Sequence, residues 1–321
     1  MRALVFNNKL ELKQNFEKPT PKENEALIKV KLVGICNTDY EITKGYMGYN
    51  GILGHEFVGV VEEINGEDKS LLGKRVVGEI NLGCKNCDYC AKGLERHCPN
   101  RQTLGIFNKD GCFADYVTLP LSNLLEVSEK INNETAVFVE PLAAALEILE
   151  QLHIKPYEKV CVLGDGKLGL ITALALNASN VDVTLVGKHQ NKLDIAKEQN
   201  VKTVLLENLK QDDNKSFDVV VEATGRVSGF ETSLSLVKPR GVLVLKSTIA
   251  TGKELNLAPI VIDEITVLGS RCGQFAPALR LMEKNVIDFS KLVSAKLSFD
   301  DAILGFEKNK EKNTIKILLE M

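Results

Sequence analysis

From Lys159 onward the chain repeats one pattern that leaves few folds open. Short, almost wholly apolar runs (KVCVLG, VDVTLVG, FDVVVEATG, GVLVLK and ITVLGS) alternate with segments long enough to be crossover helices. A strand that is apolar at successive positions has no solvated face, so it belongs in a parallel sheet covered on both sides. The expected architecture of this half is a doubly wound α/β sheet.

The first of these runs leads into Gly164-Asp165-Gly166-Lys167-Leu168-Gly169 and then into helix-forming sequence. Glycines between a strand and a helix permit a tight turn and close approach of a pyrophosphate, whose charge meets the positive end of the helix. Gly-x-Gly-x-x-Gly alone is a weak signal, but the strand before it and the helix after it make it specific. Gly164, Gly166, Lys167, Leu168 and Gly169 are therefore candidate dinucleotide contacts. At the end of the next strand, where a chain using NAD presents an acidic residue to the adenosine ribose, this chain has Gly187, Lys188 and His189. A small residue with positive charge beside it suits the 2′-phosphate of NADP, which is expected over NAD; the plainer reading of Lys188 and His189 is a solvated loop. Thr224 and Gly225 end a further strand and are expected to line the same crevice.

The first third reads differently. RALVF, ALIKVKLVGIC and FVGVVEEI are β-rich and broken by Pro19, Pro21, Gly34, Gly66 and Gly73, the texture of a barrel or partly open β-domain. After about residue 134 helical spacing takes over in ETAVFVEPLAAALEILEQL. A length of 321 residues exceeds one small core. We expect two domains: 1–142 joined by a returning tail at 275–321, and 143–274. A net charge of −3 without a basic block gives no attraction to nucleic acid or an anionic membrane. No apolar run suggests a leader or a bilayer span, so a cytoplasmic location is expected.

In a reducing compartment closely spaced cysteines are metal ligands rather than disulfides. Cys84, Cys87, Cys90 and Cys98 follow C-x2-C-x2-C-x7-C. Four thiolates close a tetrahedral shell around zinc and leave no place for water, which marks a structural site. His97 could replace one sulfur, but the fourth cysteine already fills the set.

A reactive ion needs mixed ligands and an open position. Cys36 in GICNTDYE, His55 in GILGHEF and Glu140 in VEPLAAALE could supply thiolate, imidazole and carboxylate, with Glu56 as an occasional fourth ligand. Each has a duller reading on its own: a small buried thiol, a surface pair, a helix start.

Taken in order, Gly-Ile-Cys-x-Thr-Asp, Gly-His-Glu, the four-cysteine loop, GCFADY at 111–116, Glu-Pro-Leu-Ala and the glycine turn resemble the zinc-containing medium-chain dehydrogenase/reductase superfamily. Within it the pattern is similar to the polyol, threonine and archaeal glucose dehydrogenases. The resemblance implies a GroES-like catalytic domain, a Rossmann domain, catalytic and structural zinc, NAD(P), and a homodimer or homotetramer. It matches Cys36, His55 and Glu140 to the catalytic zinc ligands, Glu56 to the nearby alternate, and the four cysteines to the structural lobe. Thr38 matches the first station of a proton relay from an alcohol, polyol or sugar substrate, and Asp39 is a candidate orienter of the ligand histidine. Several relatives place a relay histidine where this chain has Glu41. Two rival readings are a zinc-free quinone or enone reductase of the same fold, which would lack the three-part ligand set, and a zinc-ribbon interaction protein.

Overall fold

The structure is a computed structural model that describes residues 1–248 and 254–321. The chain forms two compact units, Met1–Glu140 with Phe275–Asn285 and Phe289–Met321, and Pro141–Gln274 with Val286–Asp288.

The first unit is built on the long strand Glu25–Gly34, which is buried at all but two positions. It pairs along its length with Glu56–Asn65, and its two ends take further antiparallel partners: Tyr116–Pro120 near Glu25, and Lys316–Glu320 near Gly34. Its pairing with Glu56–Asn65 shifts register at Leu27/Ile28 and Val30/Leu32, and such bulges bend and twist it. Phe57, Phe113, Phe138, Phe299 and Phe306 are among the largest fully buried side chains, and Phe113 meets Phe306 edge to face with centroids 5.8 Å apart.

The helical stretch after residue 132 is two helices, Asn133–Ala136 and Val139–Gln151. Pro141 explains the restart, since a residue without an N–H is tolerated only in a first helical turn.

The second unit contains a six-stranded sheet among the described residues, in the order Lys202–Leu205, Asp182–Gly187, Lys159–Leu163, Phe217–Glu222, Val237–Leu245, Thr266–Gly269. Every neighbouring pair is parallel. Val160, Cys161, Val162 and Val220 are fully buried, as strands covered on both faces require. The strand order reverses beside Lys159–Leu163, the switch point at which open α/β sheets bind ligands. Lys202–Leu205 is the strand the apolar pattern does not reveal. It is a half-buried edge strand, so it carries no continuous apolar run.

Candidate active site, zinc lobe and cofactor turn

Register assembles the first site. Gly34, at the end of the central strand, lies opposite Glu56 on one side and Leu318 on the other. Cys36 follows two residues beyond that end, His55 directly precedes Glu56, and Lys316 lies two residues before Leu318. Three distant segments thus meet at one sheet end. Gly34 leaves room for this approach, since a Cβ would lie 2.5 Å from Glu56 Oε2 and 2.9 Å from Val137 Cγ1.

One ligand atom each from Cys36, His55 and Glu56 lies within 4.8 Å of the others. Glu140 is outside this tight group; it is half-buried at the second position of the helix Val139–Gln151, close enough for its charge to act on the Lys316 ammonium. Glu56, which the sequence offers only as the alternate carboxylate, is the one the structure brings to Cys36 and His55.

Asp39 organises the group from a fully buried position. Its Oδ2 accepts the Cys36 N–H at 2.8 Å, as an acid in the first turn of the helix Asn37–Ile42 can, and its Oδ1 accepts the Gly54 N–H at 3.3 Å. The same Oδ1 lies 3.2 Å from His55 Nδ1. Burial pulls the His55 imidazolium down in pKa, but the charges of Asp39 and Cys36 outweigh it and hold the value well above that of an ordinary histidine. Thr38 Oγ1 lies 3.7 Å from Cys36 Sγ. Glu41 instead pairs with Lys44 Nζ at 3.0 Å, in a largely exposed bridge.

A divalent cation fits this donor set. Thiolate, imidazole and carboxylate are zinc's ligand types. Glu56 Oε1 is buried without a hydrogen-bond partner among the described residues, while Oε2 is held by Lys316. A buried oxygen in that state is costly unless something electropositive joins it.

Cys84, Cys87, Cys90 and Cys98 also place their sulfurs within 4.8 Å of one another. All are free thiols. Zinc–sulfur bonds of about 2.3 Å imply tetrahedral edges of about 3.8 Å, and Cys87 Sγ is 3.7 Å from Cys98 Sγ. The backbone N–H of Cys84 helps pull the Cys98 thiol down to about 7, whereas burial pushes Cys90 up to about 11. His97 is exposed beside this lobe and is not one of the grouped ligands.

In the second unit the strand Lys159–Leu163 turns at Gly164, with φ of +120°, into the helix Lys167–Ala178. A Cβ on Gly169 would lie 1.8 Å from the Gly164 carbonyl oxygen, so Gly169 is demanded by the turn itself. A Cβ on Gly166 would meet nothing within 4 Å, so open space lies over that residue. Lys167 and Leu168 are half-buried in the first helical turn. Thr224 and Gly225 are fixed by Glu222, a fully buried carboxylate that accepts their N–H groups at 2.7 and 3.2 Å. At the end of Asp182–Gly187 sits a residue that sequence reasoning missed: Asp165 accepts hydrogen bonds from the Lys188 and His189 N–H groups, each at 2.6 Å. Its place between two glycines of the turn was the one available signal.

Residues 22–129 match the alcohol dehydrogenase GroES-like domain family, and residues 168–290 match the zinc-binding dehydrogenase family. The chain belongs to the zinc-dependent medium-chain dehydrogenase/reductase superfamily. This dehydrogenase is similar to a sorbitol dehydrogenase of Halalkalibacterium halodurans, 27% identical over 324 residues covering 95% of this chain and 94% of that one. A zinc-binding dehydrogenase of Sinorhizobium meliloti 1021, solved bound to NADP, matches with a TM-score of 0.91 at 26% identity, covering 100% of this chain and 99% of that one. A short chain alcohol dehydrogenase of Escherichia coli CFT073 complexed with NADH shares the fold, with a TM-score of 0.91 at 24% identity over 100% of this dehydrogenase and 99% of that chain. The dehydrogenase is thus an oxidoreductase of a family that works with zinc and NAD(P). No helix among its described residues is long and apolar enough to cross a membrane.

Proposed function

We propose that this dehydrogenase moves a hydride between an alcohol, polyol or sugar, or the matching carbonyl, and NAD(P). The observation that carries the reading is the convergence of Cys36, His55 and Glu56 at one sheet end, with the Asp39 carboxylate 3.2 Å from the histidine. Zinc held there supplies an electrophile that lowers the pKa of a hydroxyl, and the nicotinamide supplies the hydride acceptor. Cys36, His55 and a carboxylate are assigned as the ligands, Glu56 from its geometry and Glu140 from its match to the family motif. Asp39 Oδ1, 3.2 Å from His55 Nδ1, is assigned as the charge partner behind the ligand histidine. Thr38, half-buried beside Cys36, accepts the substrate proton at Oγ1 and passes it outward. Glu41 is engaged with Lys44 and is not assigned to that relay.

Cys84, Cys87, Cys90 and Cys98 are assigned to a structural zinc. Gly164, Gly166, Lys167, Leu168, Gly169, Gly187, Lys188, His189, Thr224 and Gly225 are assigned to the dinucleotide, with 1–142 and 275–321 as the catalytic domain and 143–274 as the cofactor domain. The NADP preference read from Gly187, Lys188 and His189 leaves out Asp165, whose carboxylate lies on the same corner. A cytoplasmic setting is carried over from the sequence, whose closely spaced cysteines suit metal ligation. A homodimer or homotetramer is carried over from the family resemblance.

A panel of polyols, aldoses and simple alcohols, followed by absorbance of the reduced nicotinamide with each dinucleotide, tests the reading. Turnover lost in Cys36→Ser, with metal analysis giving about two zinc per chain in the wild type, supports it. Full turnover in Cys36→Ser, or a metal-free active enzyme, would point to the zinc-free reductase instead.

A further inference from the structure

The corner at the end of the strand Asp182–Gly187 holds a carboxylate that arrives from another loop. Asp165 sits between Gly164 and Gly166 and is 7% exposed. Its Oδ2 accepts the backbone N–H groups of Lys188 and His189, and the His189 ring Nδ1 lies 3.0 Å from both carboxylate oxygens. Gly187 makes the room. A Cβ there would lie 2.5 Å from Asp165 Cβ and 2.6 Å from its Oδ2. The missing side chain at the strand end, which in sequence reads as space for a phosphate, is filled by Asp165.

Consecutive backbone N–H groups turned toward one point form an anion-binding nest. Here that nest is occupied by the chain's own carboxylate. A phosphate monoester, with a charge of about −2 at neutral pH, would have to displace Asp165 or sit against it. A ribose hydroxyl is instead a donor, which a carboxylate accepts. Lys188 and His189 do not reverse this balance. The Lys188 side chain is exposed and screened by water, whereas His189 is committed to the carboxylate. The nearer and better shielded charge is negative.

We propose that Asp165 selects the dinucleotide, disfavouring a 2′-phosphate so that the enzyme prefers NAD over NADP. The usual strand-end acid is replaced by one delivered from the glycine turn. The inference rests on the reading of Gly164–Gly169 as the dinucleotide turn, and reverses the preference drawn from Gly187, Lys188 and His189 alone.

The test is equilibrium binding of NADH and NADPH to the zinc-loaded protein without substrate, by calorimetry or nicotinamide fluorescence. Wild-type protein is expected to bind NADH at least about tenfold more tightly, a difference of about 1.4 kcal/mol. Asp165→Ser frees the nest, and the ratio should collapse mainly through tighter NADPH binding. Asp165→Asn keeps the shape without the charge and should lower the ratio even if the serine variant folds poorly. The double variant Asp165→Gly with Gly187→Asp moves the acid to the strand end and should restore the NADH preference. Equal or tighter NADPH binding by the wild type, or an unchanged ratio in Asp165→Asn, overturns the proposal and leaves Asp165 as a corner staple. Binding of neither dinucleotide overturns the glycine-turn reading as well, so the two failures are distinguishable.

Discussion

Lys316 and Glu56 meet as a buried ion pair across 260 positions of sequence, with Lys316 Nζ donating to Glu56 Oε2. Their side chains are 4% and 1% exposed. Burial alone would lower the Lys316 pKa, but Glu56, Cys36 and Glu140 together raise it. The ammonium thus stands within reach of all three groups.

Breaking such a pair from one side leaves a buried charge without compensation. Lys316→Met should destabilise the metal-depleted protein by about 3–5 kcal/mol in denaturant unfolding. Glu56→Gln in the same chain should recover a large part of the loss, and added zinc should recover part of it in the single variant. A single variant as stable as the wild type would show that the pair contributes nothing.

The two sulfur sites should separate cleanly. Cys36→Ser is expected to fold, to keep the zinc of the four-cysteine lobe and to lose turnover. Cys84→Ser should lose that lobe's zinc and lower the thermal midpoint. The grounds are geometric, since Cys84, Cys87, Cys90 and Cys98 form a closed set while Cys36, His55 and Glu56 form a mixed one. Metal content and melting temperature measured on both variants check the assignment, and identical behaviour of the two would contradict it.

Two glycines of the turn are needed for different reasons. Gly169→Ala drives a Cβ to 1.8 Å from the Gly164 carbonyl oxygen, so a stability loss of about 1–3 kcal/mol is expected from overpacking. Gly166→Ala meets nothing within 4 Å and should change stability by less than about 0.5 kcal/mol. Its dinucleotide dissociation constant should nevertheless rise about tenfold or more, or about 1.4 kcal/mol. Unfolding curves and NADH titrations of both variants distinguish these outcomes; unchanged NADH affinity in Gly166→Ala would remove that residue from the site.

The elevated His55 pKa has a definite sign in pH dependence. A group whose pKa is raised by folding stabilises the protein fully below its unfolded value of about 6.5. That contribution is lost as pH rises through the folded value. The metal-depleted protein should therefore lose stability on the alkaline side of neutrality, and Asp39→Asn should flatten this dependence. Zinc needs a neutral imidazole and a thiolate, so its uptake should release protons and tighten with rising pH. Calorimetry in buffers of different ionisation enthalpy measures the release, and zinc binding without proton exchange would contradict the account.

Features that depend on local spacing are legible from the order of residues. C-x2-C-x2-C-x7-C folds into one lobe because each step spans only a short turn, and Cys87 and Cys98 end 3.7 Å apart. Strand, glycine turn and helix at 159–178 are likewise a contiguous unit, and five of the six parallel strands declare themselves because burial on both faces demands unbroken apolar runs. The edge strand Lys202–Leu205, half solvated, carries no such mark. Which charges meet is settled only when the chain has closed on itself. Sequence distance is silent on whether Glu56 joins Cys36 and His55; the pairing of Gly34 with Glu56 brings it there. Nothing local announces that Lys316 reaches Glu56, or that Asp165 occupies the space left by Gly187. Such contacts arise from register and backbone approach between segments far apart in the chain, and a buried charge finds its partner only where the fold closes around both.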